Sequence, residues 1–85
     1  MSAKSDAIRA IYRQVDAPGW AAPNLDGLAD VLRDLSWLPE RPVQITLPDL
    51  TALPDDERAA LLHVLADAVT ESIAAPRAVR IHGHD

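Results

Sequence analysis

Cysteine is absent from this chain of 85 residues, so neither a disulfide nor a thiolate-held metal can brace it and nothing in it depends on an oxidising compartment. Glycine is scarce as well: Gly19, Gly27 and Gly83 stand too far apart to make a phosphate-cradling loop. No apolar stretch approaches the roughly eighteen residues of a membrane span, and MSAKSDAIRAIYRQV at the N-terminus lacks the unbroken apolar run of a signal peptide. The expectation is a soluble, cytoplasmic protein. Bases are few, 8 Lys and Arg against 13 Asp and Glu, leaving a net charge of −5 and a pI near 4.9. That balance disfavours nucleic acid and anionic lipid as direct partners and makes a basic protein the natural electrostatic complement.

At this length one domain over residues 1–85 with a single core is expected. A content of 48% hydrophobic and 25% charged residues is that of a globular chain, not a disordered one. Ile8, Ile11, Tyr12 and Val15 recur at helical spacing and predict a first helix over residues 5–15, with Ser5 as its N-cap. Asp16-Ala17-Pro18-Gly19 ends it, and residues 18–23 form a turn-rich connector that holds Trp20 on a loop. Asn24 is a good N-cap for a second helix from Leu25 to about Leu35. Val43-Gln44-Ile45-Thr46-Leu47 alternates apolar with polar between Pro42 and Pro48, the pattern of a short strand.

Pro54 at the first helical position, followed by Asp55, Asp56 and Glu57, opens a long helix expected to reach Ala75. Its buried stripe is predicted to be Leu61, Leu62, Leu65, Ala68, Val69 and Ile73, with His63, Asp67, Thr70 and Glu71 facing outward. Pro76 stops it, and residues 78–82 can form a second strand. Strand, long helix and strand make a right-handed βαβ unit, so the strands should be parallel. The expected architecture is α/β, with three helices over a two-stranded parallel sheet.

Within NLDGLADVLRDL, Asp26, Asp30 and Asp34 recur every four residues and share one helix face, opposite Leu25, Leu28, Val31, Leu32 and Leu35. Like charges at that spacing cost a helix about 0.2–0.5 kcal/mol per pair. Most charged helix faces are simply solvated, and Asp26 is explained by the positive end of the helix dipole in the first turn. Arg33 answers part of Asp30 as an i,i+3 partner. Asp30 and Asp34 are the excess that local helix physics leaves over, and they point toward something positively charged.

Enzyme chemistry does not assemble. His82 and His84 with Asp85 can catch a stray metal but sit at a terminus, and His63 reads as a solvated side chain. Asp26 and Asp30 offer no means of tuning a general acid and base apart. No catalytic residue, resident metal or cofactor is expected. Acyl carrier proteins are acidic, helical and of similar length, but they require a serine after an aspartate at the start of the second helix, and Asn24-Leu25-Asp26-Gly27-Leu28 supplies none.

The pattern Pro18-x-Trp20-x-x-x-Asn24-Leu25-Asp26-Gly27-Leu28-x-Asp30-x-Leu32 resembles the barstar family of ribonuclease inhibitors, whose signature is a proline, an aromatic, Gly-x-Asn-Leu-Asp-Ala-Leu and then a helical Asp. The strand after Pro42 and the helix bearing Leu61-Leu62-His63-Val64-Leu65-Ala66-Asp67-Ala68 follow in the family's order, so the likeness spans roughly residues 6–81. It implies a loop and second helix that enter the active site of a small basic ribonuclease, with carboxylates standing where RNA phosphates bind. On this resemblance Asp30 matches the central inhibitory aspartate, Asp26 the acid one turn before it, Trp20 the loop aromatic and Asn24 the helix cap. Asp67 matches an acid of the third helix, and Trp37 the aromatic after the second. Gly27 and Ala29 fall within the same contact stretch, and Asp34 is an additional acid.

Three departures accompany the likeness. The family's first β-strand is expected to be missing, Ala22 and Pro23 stiffen the loop, and Ala29 stands where an aromatic is common. The implied function is an immunity-type inhibitor of a basic ribonuclease. The alternative is a barstar-like binding module whose partner is regulatory or structural. A monomer is expected, with a homodimer left open by the sheet edge that the absent strand would expose.

Overall fold

Prolines, caps and hydrophobic spacing divide the chain into five elements in the computed structural model, which describes residues 2–83: α1 (Ala3–Gln14), α2 (Leu25–Asp34), β1 (Val43–Thr46), α3 (Asp55–Glu71) and β2 (Val79–His82). The fold is α/β, three helices with a two-stranded parallel sheet. Val43 lies beside Val79 and Ile45 beside Ile81. Because side chains alternate along a strand, Val43, Ile45 and Val79 face inward while Gln44, Thr46, Arg80 and His82 face solvent.

One core joins all five elements. Ile8, Ile11 and Val15 of α1 and its end meet Leu28, Val31 and Leu35 from α2, Ile45 and Val79 from the sheet, and Leu61 and Leu65 from α3. Fully burying each such side chain is worth about 1.5–3 kcal/mol. Among the described residues the core takes in no polar or charged side chain. The open edge of β1 is answered from α1: the Gln14 amide donates to Thr46 O and accepts from the Thr46 N–H, both at 2.8 Å, in the place a neighbouring strand would occupy.

Several expectations need correction. The cap of α1 is Ser2 rather than Ser5: Ser2 Oγ accepts from the Ser5 N–H at 3.1 Å, and the helix gains Ala3 and Lys4 and ends at Gln14, with Val15 as its C-cap. Pro54 occupies the N-cap position of α3, not its first turn. That helix ends at Glu71, short of Ala75, because Ser72 Oγ donates back to Ala68 O at 2.7 Å while accepting from the Val79 N–H at 2.9 Å. A chain committed to starting β2 there cannot keep winding. Leu62 and Ile73, placed in the buried stripe, are 39% and 78% exposed. The core takes Leu61, Leu65 and Ala68, and apolar residues cover more of this helix than one neighbour can hide. β1 stops at Thr46 and β2 begins at Val79, each one residue shorter than expected. His84 and Asp85 lie outside the described residues.

Candidate partner-binding site

The connector between α1 and α2 is set by a few backbone bonds. Asp16 turns into the left-handed region at φ 51°, and the Ala17 N–H returns to Tyr12 O at 3.0 Å. A tight turn follows, Ala21 N–H to Pro18 O at 3.0 Å, and it lifts Trp20 off the surface to 60% exposure. Trp20 does not stand alone. Trp37 meets it edge to face, with ring centroids 6.2 Å apart and planes at 85°, an arrangement favoured by the ring quadrupoles. Trp37 is itself pinned by Nε1–H donating to Val15 O at 2.9 Å. The two indoles, far apart in sequence, form one feature.

Asn24 caps α2 as expected, its Oδ1 accepting from the Gly27 N–H at 2.7 Å. Gly27 has a packing role the sequence did not disclose. A Cβ there would run far inside contact distance of Ala22 O and lie 3.0 Å from Tyr12 Oη. The first turn of α2 is thereby pressed against the loop, where Tyr12 Oη–H donates to Ala22 O at 2.5 Å. In the sequence Tyr12 marks only the helical spacing of α1; a buried phenol needs an acceptor, but nothing in the sequence names Ala22. Burial raises the Tyr12 pKa above the usual tyrosine value, and the nearby Asp30 carboxylate raises it further. Asp30 therefore stands close to the phenol that ties the loop to α2.

Asp26, Asp30 and Asp34 are all exposed, on the side of α2 away from Leu28, Val31 and Leu32. The expected i,i+3 pair forms, Arg33 Nη2 to Asp30 Oδ1 at 3.2 Å, with both side chains more than half exposed, so it is worth at most about 1 kcal/mol. Arg33 also donates through Nε to Ala29 O at 3.3 Å. Across α2, Ala29 and Arg33 share a groove of about 180 Å³ with Val64, Asp67 and Glu71 of α3. Asp67 pairs with His63 at 3.3 Å and is likewise exposed. The structure thus gathers Trp20, Trp37, Asn24, Gly27 and Asp30 around the loop and first turns of α2. Ala29 and Asp67 border the adjoining groove, and Asp34 ends the acidic row.

Chemically this surface offers exposed carboxylates and an indole. Among the described residues no group of three or more His, Cys, Asp or Glu side chains converges on a metal position, and no helix is long and apolar enough to cross a membrane. Fixed carboxylates beside an exposed indole suit a cationic protein surface, which they attract over a distance and pair with on contact. The family model described as Barstar (barnase inhibitor) matches residues 1–82. No curated protein and no solved structure matches the chain. With the loop indole, the capped acidic helix and the βαβ unit in that order, and a match over nearly its whole length, the chain belongs to the barstar (barnase inhibitor) family and carries that family's inhibitor-like, protein-binding role.

Proposed function

We propose that this protein is an immunity-type inhibitor of a small basic ribonuclease and acts in the cytoplasm by occluding the enzyme's active site. Asp30 is the observation that carries the reading: its side chain is 65% exposed on a rigid, capped helix, close to Tyr12 and beside the loop that bears Trp20. A ribonuclease grips phosphates with Arg and Lys, and a carboxylate row presented at helical pitch engages the same groups without being cleavable. Asp26 supports it from the turn before, Asp34 from the turn after, and Asp67 from α3. Gly27 and Asn24 hold the helix start, and Trp37 holds Trp20.

The test is a fluorogenic RNA-cleavage assay with the cognate ribonuclease, run with the parent, Asp30→Ala and Asp26→Ala. Truncating one partner of a buried charge pair costs about 2–5 kcal/mol, a scale informed by barnase–barstar itself and so a family value, not one worked from this chain. Asp30→Ala should lose inhibition by about 30-fold or more at about 1.4 kcal/mol per tenfold, Asp26→Ala less, with circular dichroism unchanged in both. An Asp30→Ala protein that inhibits as well as the parent removes the mechanism.

A second reading, a binding module whose partner is not a ribonuclease, is favoured by Ala29. A methyl stands at the mouth of the α2–α3 groove, where the family commonly has an aromatic, and Arg33 adds a positive charge beside it. The same assay separates the two, since occlusion must abolish turnover of RNA and a scaffold need not.

A further inference from the structure

The long helix α3 has two flanks. At about 100° per residue, Val64, Asp67 and Glu71 turn toward α2, while Leu62, Ala66 and Val69 turn the other way, toward β2. The second flank is uncovered. Leu62, Leu65, Ala66, Val69 and Thr70 line a groove of about 410 Å³ with Ile81 of β2. Ile73, 78% exposed, follows in the turn after the helix, where its N–H reaches Thr70 O at 3.5 Å. In a chain with 25% charged residues, this strip carries no charge.

Beside it runs the edge of β2, closed at Val79, whose N–H donates to Ser72 Oγ at 2.9 Å, and open at Ile81. Val43 N–H donates to Ala78 O and Leu47 N–H to His82 O, both at 2.8 Å. By the alternation of a parallel ladder, the N–H and C=O of Ile81 therefore point away from β1. Gln14 answers the edge of β1 at Thr46; among the described residues no side chain does the same for Ile81. An exposed edge of this kind is a template for another strand.

We infer that this flank and the one open position of this edge together form the interface of a homodimer, with Ile81 pairing antiparallel to Ile81 of a second copy about a two-fold axis. A two-fold interface must be self-complementary, and three features meet that condition. Pairing Ile81 with the partner's Ile81 satisfies both N–H and both C=O groups at once. The same axis falls on α3 near Ala66, because the groove sets Ile81 beside Leu65, Ala66 and Val69, and a methyl at the crossing lets two antiparallel helices come close. That register brings Leu62 over the partner's Val69 and Thr70, and Ile73 onto the partner's Ala59 and Leu62. At the ends, the Asp55–Arg58 pair meets the uncharged turn at 72–76, so no like charges are forced together.

The contact is modest. A 17-residue helix is about 25 Å long, and with the strand layer beside it the patch is on the order of 500 Å² per copy, at the low end for specific interfaces. The dimer is accordingly weak, with a Kd on the order of 10⁻⁵–10⁻⁴ M. It also leaves the acidic face of α2 open in both copies, because that face adjoins the opposite flank of α3.

Sedimentation equilibrium of the full chain from about 1 μM to about 1 mM brackets that Kd. Doubling of the mass over that range is expected, with slowed exchange of the Ile81 amide in the dimer. Ala66→Arg and Ile73→Glu, both at exposed positions, should each weaken the dimer about tenfold or more with unchanged circular dichroism. A protein that stays monomeric throughout leaves this flank to a different partner and overturns the proposal. So does a dimer indifferent to both substitutions, or one in which the Ile81 amide exchanges as fast as in the monomer.

Discussion

Gly27→Ala sets two effects of opposite sign against each other at the start of α2. Alanine is favoured over glycine in a helix by up to about 1 kcal/mol, and Gly27 has no positive φ that would forbid a side chain. From the helix alone the substitution should stabilise. The new methyl, however, would collide with Ala22 O and lie 3.0 Å from Tyr12 Oη and 3.2 Å from the Ala22 carbonyl carbon. That carbonyl also accepts from Tyr12 Oη–H at 2.5 Å and from the Asn24 N–H at 2.9 Å, so displacing it strains both bonds. Overpacking a tight contact costs about 1–3 kcal/mol, and a lost hydrogen bond about 0.5–1.5 kcal/mol. Against the propensity gain, the net is a destabilisation of about 1–3 kcal/mol, which lowers Tm by roughly 4–8 °C for each kcal/mol in a chain of this size. Urea unfolding followed by circular dichroism measures it. In a Tyr12→Phe background, where the phenol bond is already absent, the added cost should shrink. A Gly27→Ala protein as stable as the parent, or more so, refutes the reasoning.

Tyr12 is the sole tyrosine, so phenolate absorbance in a pH titration reports it alone, and its pKa should lie above the usual value because of burial first and Asp30 second. Since the folded chain holds this proton more tightly than the unfolded one, the associated stability is whole below the unfolded pKa of about 10 and is lost as pH rises through the folded value. Asp30→Asn should lower the Tyr12 pKa only part-way, and no change at all would contradict the proximity of the two groups. Gln14→Ala removes both bonds to Thr46; because the site is exposed, about 1 kcal/mol of stability should go, together with faster amide exchange at Thr46. Association of the parent with a basic partner should slow as salt is raised from about 0.01 to 0.15 M, where the screening length falls from about 30 to 8 Å; a rate independent of salt argues against steering by the Asp26–Asp30–Asp34 row.

What could be read from residue order was the set of features with local causes. Asn24 caps α2 through its own side chain, and Pro42 and Pro48 bracket β1 because neither can donate to a ladder. Those boundaries fall within a residue of expectation. Where the cause is tertiary, local reading fails. Ser2 and Ser5 are equally good caps, and the turn taken by residues 2–5 decides between them. The end of α3 is set by Ser72 reaching across to Val79, seven residues on. Leu62 and Ile73 look like core on a helical wheel, yet the sheet is two strands wide and covers only part of α3. Within the candidate site, the acidic row and Trp20 were visible as composition and spacing. The docking of Gly27 under Tyr12 and Ala22 was not, since it joins residues from three separate segments.

The edge-to-face indoles have a practical corollary. The chain has two tryptophans; one is solvent-facing and the other half-sheltered against it with its N–H already engaged. Any body that settles on the connector dries the outer ring and alters its coupling to the inner, so emission colour and anisotropy report occupancy with no dye attached. The molecule comes with its own optical gauge for the docking proposed at this loop.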